Sequence, residues 1–271
     1  MRPIQRVGDG VRGSTERRVT APRLSLLIVA RNEERQLEPC IRSGDFADEI
    51  VVLLDRSKDD SAEIAAVLGA KVVAGEWPDE GQRRTVGIAA CSGDWILELD
   101  ADERISPALA AELRTAIRAG KADHYVIPFR NHIGDRWVKS GWGAYNGVNA
   151  KASLFRRGHK TWSGGRVHPA IVLSGTRGEL RGHIDHYVDE DLTTMYDRLN
   201  RYTTLAAADA VERDAIPRAG STIRRFFSRF IRSYAQKRGY REGWRGVALA
   251  LFSALYPVLT YLKIRERLER R

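Results

Sequence analysis

The chain has few of the residues that build disulfide-bonded or metal-thiolate proteins. Its 271 residues include only two cysteines, Cys40 and Cys91, and their spacing is not that of a metal site. Two such distant thiols exclude a disulfide framework and a cysteine-ligated zinc module, and they are compatible with a reducing compartment.

The first residues also lack the features of a secretory signal. Residues 1–23 contain no apolar core, and the first apolar run, residues 24–30, is too short for one and leads directly into a polar turn. We therefore expect a cytoplasmic protein in which residues 1–23 form a flexible basic arm.

Acidic residues are scarce at the two ends of the chain. Residues 218–271 contain 14 Lys and Arg against 3 Asp and Glu, and residues 1–23 contain 6 against 2. Residues 24–217 hold the remaining 25 basic and 30 acidic residues, so the net charge of +10 belongs to the ends. This distribution indicates an acidic central domain tethered to an anionic surface, either membrane or nucleic acid.

No uncharged run reaches the length of a typical membrane-spanning helix. The longest, residues 247–262, contains Pro257, whereas a spanning helix needs about 20 apolar residues. Before it, residues 223–232 alternate Arg with bulky apolar side chains. We predict a basic amphipathic helix followed by an interfacial or re-entrant segment at the inner face of the cell membrane. A core helix packed on the main domain is the alternative, and no RNA-recognition motif favours nucleic acid.

The middle of the chain alternates apolar strands with helices. Strands are predicted at residues 24–30, 49–54, 71–74 and 94–99, and helices at residues 33–43, 60–68, 79–91 and 107–120. This alternation predicts an α/β fold with a mostly parallel sheet and helices on both faces. The turn after the first strand has no glycine, which argues against a nicotinamide or flavin site of the Gly-x-Gly-x-x-Gly type.

The fourth predicted strand ends at two carboxylates one residue apart, Asp100 and Asp102. Side chains at i and i+2 of a strand point to the same side, here into the crevice where open α/β sheets bind ligands. Two such oxygen ligands suit Mg²⁺ or Mn²⁺, which brings phosphates as further ligands. A solvated acidic turn before a helix would show the same local pattern.

After residue 125 the alternation gives way to loops rich in Gly, Trp, His and Asn. Residues 139–145 and 162–168 are the clearest examples. Such loops are typical of a surface that recognises sugar rings, and structural aromatic residues are the alternative interpretation.

Taken together, these segments resemble glycosyltransferase family 2, in particular its lipopolysaccharide-core β-glucosyltransferase type. The matching segments are residues 24–34, 49–63, 82–84, 93–103 and 154–168. The resemblance implies a GT-A fold over residues 24–217, followed by a helical membrane-associating tail over residues 218–271. It also implies inverting transfer from a nucleotide-sugar donor, with a UDP-hexose as the first expectation, to a lipid-linked or lipopolysaccharide-core saccharide acceptor.

The resemblance assigns roles by position. Nucleotide-sugar binding is implied for Ala30, Asn32, Glu33, Asp55, Arg83 and Asp100, and metal binding for Asp100 and Asp102.

Three positions depart from the family pattern. Leu54 stands where an acid is frequent, and Arg84 replaces a usual asparagine. Pro169 occupies the position of the glutamate of a Val-His-Glu motif, the expected catalytic base. The candidates for that base are therefore His168 and Asp185, with Asp135 as a further one.

Other functions remain open at this point. A nucleotidyltransferase acting on a sugar phosphate would use the same carboxylates, but its glycine-rich loop is missing. A haloacid-dehalogenase-like phosphatase would have Thr or Val where Arg104 stands. A catalytically impaired relative that only binds a membrane is the non-enzymatic alternative.

Overall fold

The computed structural model describes residues 21–142, 147, 149–162 and 170–270, and a ten-stranded sheet forms its centre. The strands are β1 (Leu24–Ala30), β2 (Glu49–Asp55), β3 (Lys71–Gly75), β4 (Trp95–Asp100), β5 (Glu103–Ile105), β6 (His124–Ile133), β7 (Arg136–Trp137), β8 (Ala150–Arg156), β9 (Lys160–Trp162), β10 (Ile171–Leu173), β11 (Arg177–Glu179) and β12 (Ile184–Asp189). The sheet has the order β3-β2-β1-β4-β8-β6-β12-β5, with β7 and β11 also paired to β6, while β9 and β10 pair with each other.

Seven α-helices accompany these strands in the described residues. They are α1 (Glu34–Ser43), α2 (Ser61–Val67), α3 (Glu80–Ala90), α4 (Pro107–Ala119), α5 (Leu192–Glu212), α6 (Ala219–Ile231) and α7 (Trp244–Glu269). A π-helical turn (Arg232–Gln236) and a 3₁₀ turn (Gly239–Glu242) join α6 to α7.

The first half of the sheet is the expected parallel α/β arrangement. Strands β3, β2, β1 and β4 are all parallel, and every residue of β1 is buried. Side chains of α1, α2 and α4 share one core with one face of this sheet, whereas α3 packs on the other face. Helices on both faces explain why β1 is apolar at every position except Ser25 rather than alternating.

The second half of the sheet is mixed. Strand β8 runs antiparallel to β4 and β6, β12 runs parallel to β6, and β5 pairs antiparallel with β12. Because β5 follows β4 after two residues but pairs with β12, the chain passes at Ala101 and Asp102 from the parallel half to the mixed half. This crossing brings Asp102 next to β12.

The starts of three helices differ in how they are capped. The Ser106 hydroxyl accepts from the Leu109 N–H at 3.2 Å, which confirms the start of α4. At the start of α1, Glu33 holds the N-cap position without a side-chain cap, and the Asn32 amide oxygen accepts from the Lys58 N–H. Asp60 is the N-cap of α2 but makes no capping bond. Contacts between two loops compete here with local capping.

The tail packs on the rest of the protein. Helix α7 contacts α5 and α6, and its Ala248 and Leu249 join a buried cluster that includes Trp142 and Val188. Among the described residues, α7 is the one helix long and apolar enough to cross a membrane, and 39% of its most apolar 18-residue stretch is buried. The tail therefore has one face in contact with the main body.

Close packing of the turn between α6 and α7 predicts different effects for two glycine substitutions. A Cβ added at Gly246 would lie 1.8 Å from the Gly239 carbonyl oxygen, whereas nothing lies within 4 Å of one added at Gly220. Gly246→Ala is expected to lower the free energy of unfolding by about 1–3 kcal/mol. Gly220→Ala, in the first turn of α6, is expected to raise it by up to about 1 kcal/mol. Urea unfolding followed by circular dichroism measures both, and equal effects would contradict the tail packing.

Candidate active site

The loops that follow β1 and β2 are hydrogen-bonded into one rim at the carboxyl edge of the sheet. The Asn32 N–H donates to Ser57 Oγ at 3.1 Å, and the Lys58 N–H donates to Asn32 Oδ1 at 2.9 Å. The Glu33 N–H donates to Ser61 Oγ at 3.2 Å. With Ala30 buried at the end of β1, the first three predicted nucleotide-binding residues lie together on this rim.

Two further predicted nucleotide-binding residues meet beside it. Asp55 is buried at the end of β2, where its Oδ1 accepts from the Trp77 N–H at 3.2 Å. Its Oδ2 lies 3.5 Å from Nη1 of Arg83 on α3. The carboxylate thereby holds the Arg83 guanidinium at the same edge of the sheet.

Asp100 lies at the end of β4 between two cations. Its Oδ1 is 2.5 Å from Arg84 Nη2, and its Oδ2 is 3.1 Å from Lys151 Nζ. Burial alone would raise the pKa of Asp100, but Arg84 and Lys151 hold that pKa well below its usual range. Asp100 is thus ionised and already paired with protein cations.

A second buried pair continues this arrangement into the core. Glu98 of β4 is fully buried and bonds to the ammonium of Lys160 on β9, while Arg84 Nη1 lies 3.6 Å from its other oxygen. We call Arg84, Glu98, Asp100, Lys151 and Lys160 the charge ladder. Since an unpaired charge at these depths would be very costly, the ladder fixes α3, β4, β8 and β9 relative to one another.

Asp102 meets a histidine that its sequence position does not reveal. Its Oδ2 lies 3.5 Å from His186 Nε2, and one ligand atom from each of Asp102, Glu103 and His186 falls within 4.8 Å of the others. The other oxygen of Asp102, Oδ1, is buried without a hydrogen-bond partner among the described residues. A buried carboxylate oxygen without a donor is a position that a cation would satisfy.

A hydrogen bond orients the His186 ring. Its Nδ1 lies 2.9 Å from the side-chain oxygen of Asn131 on the neighbouring strand β6. Because an amide oxygen only accepts, Nδ1 carries a proton, and in the neutral ring Nε2 presents its lone pair towards Asp102. This second partner is the usual support of a metal-binding histidine.

The same region has an excess of carboxylates. Burial raises the pKa of Glu33 to about 7, with Asp102 adding to the effect. Burial also raises the pKa of Glu103 and of Asp189 to about 7, although Lys151 and Arg198 respectively oppose it. Such a concentration of carboxylates favours the binding of a divalent cation.

The candidates for the catalytic base lie apart from this cluster or outside the described residues. Asp185 precedes His186 on β12, so its side chain is on the opposite face of the strand, where its Oδ1 lies 2.9 Å from His132 Nε2. Asp135 is exposed between β6 and β7. His168 and Pro169 fall outside the described residues. The structure therefore does not bring Asp185 together with Asp100 and Asp102.

Comparison with known proteins decides the family. The family model described as glycosyl transferase family 2 matches residues 25–163, which include every element of the rim and the charge ladder. This chain belongs to glycosyl transferase family 2. The parallel half of the sheet and the flanking helices are its GT-A-like α/β fold, as expected from the sequence.

Relatives of this glycosyltransferase extend the similarity into the tail. It is 29% identical over 258 residues to the lipopolysaccharide core biosynthesis glycosyltransferase LpsC of Rhizobium meliloti, covering 90% of this chain and 92% of the relative. It is 34% identical over 261 residues to an uncharacterized glycosyltransferase of Rickettsia bellii, covering 90% and 86%.

Among solved structures, glucosyl-3-phosphoglycerate synthase from Mycobacterium tuberculosis, crystallised with Mn²⁺, UDP and glucosyl-3-phosphoglycerate, is similar in part. It is 26% identical, with coverage of 41% of this chain and 44% of that chain and a TM-score of 0.36.

Sequence reasoning missed several residues that complete the site of the glycosyltransferase. These are Glu98, Glu103, Asn131, Lys151, Lys160 and His186. All of them lie on strands, and they meet only through the register of β4, β8, β12 and β5. The one available signal was the presence of His186 in a short strand-like segment, which does not show its partner.

Breaking the charge ladder should destabilise the enzyme strongly. Lys160→Met leaves Glu98 without its ammonium partner, so we expect a loss of about 3–5 kcal/mol in the free energy of unfolding. The double variant Glu98→Gln/Lys160→Met removes both charges and should be more stable than Lys160→Met alone. Chemical unfolding of wild type, Glu98→Gln, Lys160→Met and the double variant tests the coupling, and additive losses would contradict the pairing.

Proposed function

We propose that this glycosyltransferase transfers a hexose from a nucleotide-sugar donor, with UDP-hexose as the first candidate, to a saccharide of a lipopolysaccharide core or a related lipid-linked acceptor, with inversion. The observation that carries the proposal is the juxtaposition of Asp102 and His186 beside the nucleotide rim. Similarity to LpsC over nearly the whole chain supports the acceptor class.

The donor would occupy the carboxyl edge of the parallel strands. Glu33 and Asn32 would contact the nucleoside from the rim, whose backbone is fixed by the loop following β2. Arg83, held by Asp55, would supply positive charge near the diphosphate. Asp100, held by Arg84 and Lys151, would receive the donor's hydroxyl or amide groups without having to change its protonation state.

The residues present fit a divalent metal ion, on the evidence of the donor-free Asp102 oxygen and the oriented His186 ring. Asp102 and His186 would hold it, with Glu103 behind them, and Asp100 remains a predicted ligand. A bound Mg²⁺ or Mn²⁺ would neutralise the departing diphosphate.

Inversion requires a base on the acceptor side of the sugar. Strand β9 ends at Trp162, six residues before His168, and Lys160 on that strand is bonded to Glu98 next to Asp100. The chain therefore enters residues 163–169 from beside the donor site. We assign His168 as the base, which would take the proton of the acceptor hydroxyl as its oxygen attacks the anomeric carbon.

Asp102→Asn tests the metal-binding role. We expect transfer to fall roughly a thousandfold, because the variant loses leaving-group stabilisation of several kcal/mol. The matched control Asp45→Asn changes an exposed acid in the loop before β2, at the opposite edge of the sheet, and should leave transfer unchanged.

The assay follows radiolabelled hexose from nucleotide sugars into acceptor while Mn²⁺ affinity is measured by calorimetry. Wild-type turnover and affinity in Asp102→Asn would overturn the metal site. Formation of nucleoside triphosphate and sugar phosphate when pyrophosphate is added, instead of release of nucleoside diphosphate, would indicate a nucleotidyltransferase, and absence of any turnover a catalytically impaired relative.

Two variants test which residue is the catalytic base. His168→Ala should lower kcat by about 10²–10⁴-fold with little change in nucleotide affinity. Asp185→Asn should lower it much less, since the Asp185 side chain is on the opposite face of β12 from His186. Single-turnover transfer measured for both variants separates the two assignments, and the reverse order of effects would move the role to Asp185.

A further inference from the structure

The tail presents a surface that sugar transfer does not require. We propose that α6 and α7 form a docking surface for an anionic lipid bilayer, with α7 lying along the membrane surface rather than across it.

Helix α6 exposes an apolar face. Ile223, Phe227 and Ile231 are 59%, 59% and 52% exposed, and their spacing of four residues places them on one side of the helix. Thr222 is buried on a different side, which is where α6 meets the body. Helix α6 therefore contacts the body along one side and leaves Ile223, Phe227 and Ile231 in solvent.

Helix α7 has a second apolar stripe. Trp244, Val247, Leu251 and Leu262 are all exposed, and Leu255 and Val258 continue the same helical side. The buried residues of α7, including Leu249, Ser253 and Ile264, occupy other positions around the helix. Of the 18 exposed large hydrophobic side chains in the described residues, eight lie in α6, α7 and the turn between them. An apolar surface of this extent marks an interaction site.

The charge beside these stripes selects the partner. Helix α6 has no acidic residue, and Arg224, Arg225 and, directly after the helix, Arg232 are exposed. A second copy of the chain would bring the same arginines together, whereas anionic headgroups would neutralise them. Exposed apolar side chains flanked by arginines are the pattern of a helix that lies in a bilayer interface.

Bonds along its length keep α7 parallel to the body. Near its start, the Arg245 guanidinium donates to the Ile133 carbonyl. Near its end, Lys263 Nζ donates to the Asn200 carbonyl at 2.8 Å and to the hydroxyls of Thr203 and Thr204 on α5. A spanning α7 would either break these bonds or draw the charged helix α5 into the lipid, which is costly.

The tail is also joined to the loop beside the active site. Glu242 Oε1 accepts from the backbone N–H groups of Lys139 and Ser140, and Lys237 Nζ donates to the Trp142 carbonyl at 2.6 Å. This loop follows β6 and β7, and β6 carries Asn131, the partner of His186. Docking through α6 and α7 would thus hold the acceptor side of the site at the membrane.

Flotation with vesicles tests the surface on the full-length protein. Vesicles of phosphatidylcholine alone are compared with vesicles that also contain phosphatidylglycerol. We expect binding only to the second kind, decreasing as salt is added. An alkaline carbonate wash should release the bound protein, since no helix crosses the bilayer.

Two triple variants separate the apolar and the charged contributions. The apolar variant is Ile223→Ser/Phe227→Ser/Ile231→Ser, and the charge variant is Arg224→Gln/Arg225→Gln/Arg232→Gln. The charge variant should lower the partition constant by about a hundredfold through loss of three headgroup contacts. The apolar variant should abolish binding at any salt concentration.

Matched variants elsewhere on the surface control for composition. The control for the apolar variant is Val67→Ser/Val172→Ser/Leu192→Ser, and the control for the charge variant is Arg118→Gln/Lys121→Gln/Arg213→Gln. All six positions are exposed and lie outside α6 and α7. Both controls should bind vesicles like wild type, with circular dichroism showing that all four proteins are folded.

Several outcomes would overturn the proposal. These are equal binding of the tail variants and their controls, equal binding to neutral vesicles, and resistance to the carbonate wash. Light scattering that shows a dimer which the apolar variant dissociates, without vesicle binding by wild type, would assign the surface to a second copy instead. Sugar transfer enters none of these measurements, so the surface can fail while the proposed function stands.

Discussion

The arrangement of the site depends on one buried guanidinium. Arg84 of α3 lies between Glu98 and Asp100, two carboxylates on the same side of β4, and Lys160 and Lys151 complete the pairing from β9 and β8. Each of the two carboxylates has two cationic partners from different elements, so these elements hold their positions together. Helix α3 carries Arg83, and β4 leads to Asp102.

The same interaction explains a departure from the family pattern. Arginine at position 84, where the resemblance leads one to expect asparagine, brings a positive charge into the interior. The structure matches it with Glu98 and Asp100, and the two lysines balance the carboxylates in turn. Asp100 is therefore ionised and oriented by protein groups, whereas Asp102 has an oxygen that accepts no hydrogen bond within the described part of the chain.

Local sequence signals predicted the parallel half of the sheet, its helices, and the position of Asp100 and Asp102 at a strand end. These features depend on residues near each other in the chain. The partners of Asp102 do not, because His186 reaches it only through the register of β12 with β5. A shift of one residue would have presented Asp185 instead, which is why the sequence alone could not separate the two. The tail shows a similar limit: one face of α7 packs on the body, as the core-helix interpretation expected, and the opposite apolar face is exposed, where membrane contact stays a proposal.

The most direct test of the account is whether His186 contributes a nitrogen ligand to a bound cation. Electron spin echo spectroscopy of Mn²⁺ bound to the enzyme in the presence of UDP detects an imidazole nitrogen by its modulation of the signal. The account predicts this modulation in wild type and its loss in His186→Gln with Mn²⁺ still bound through the carboxylates. Absence of nitrogen modulation in wild type, or the same modulation in His186→Gln, would contradict the proposed site.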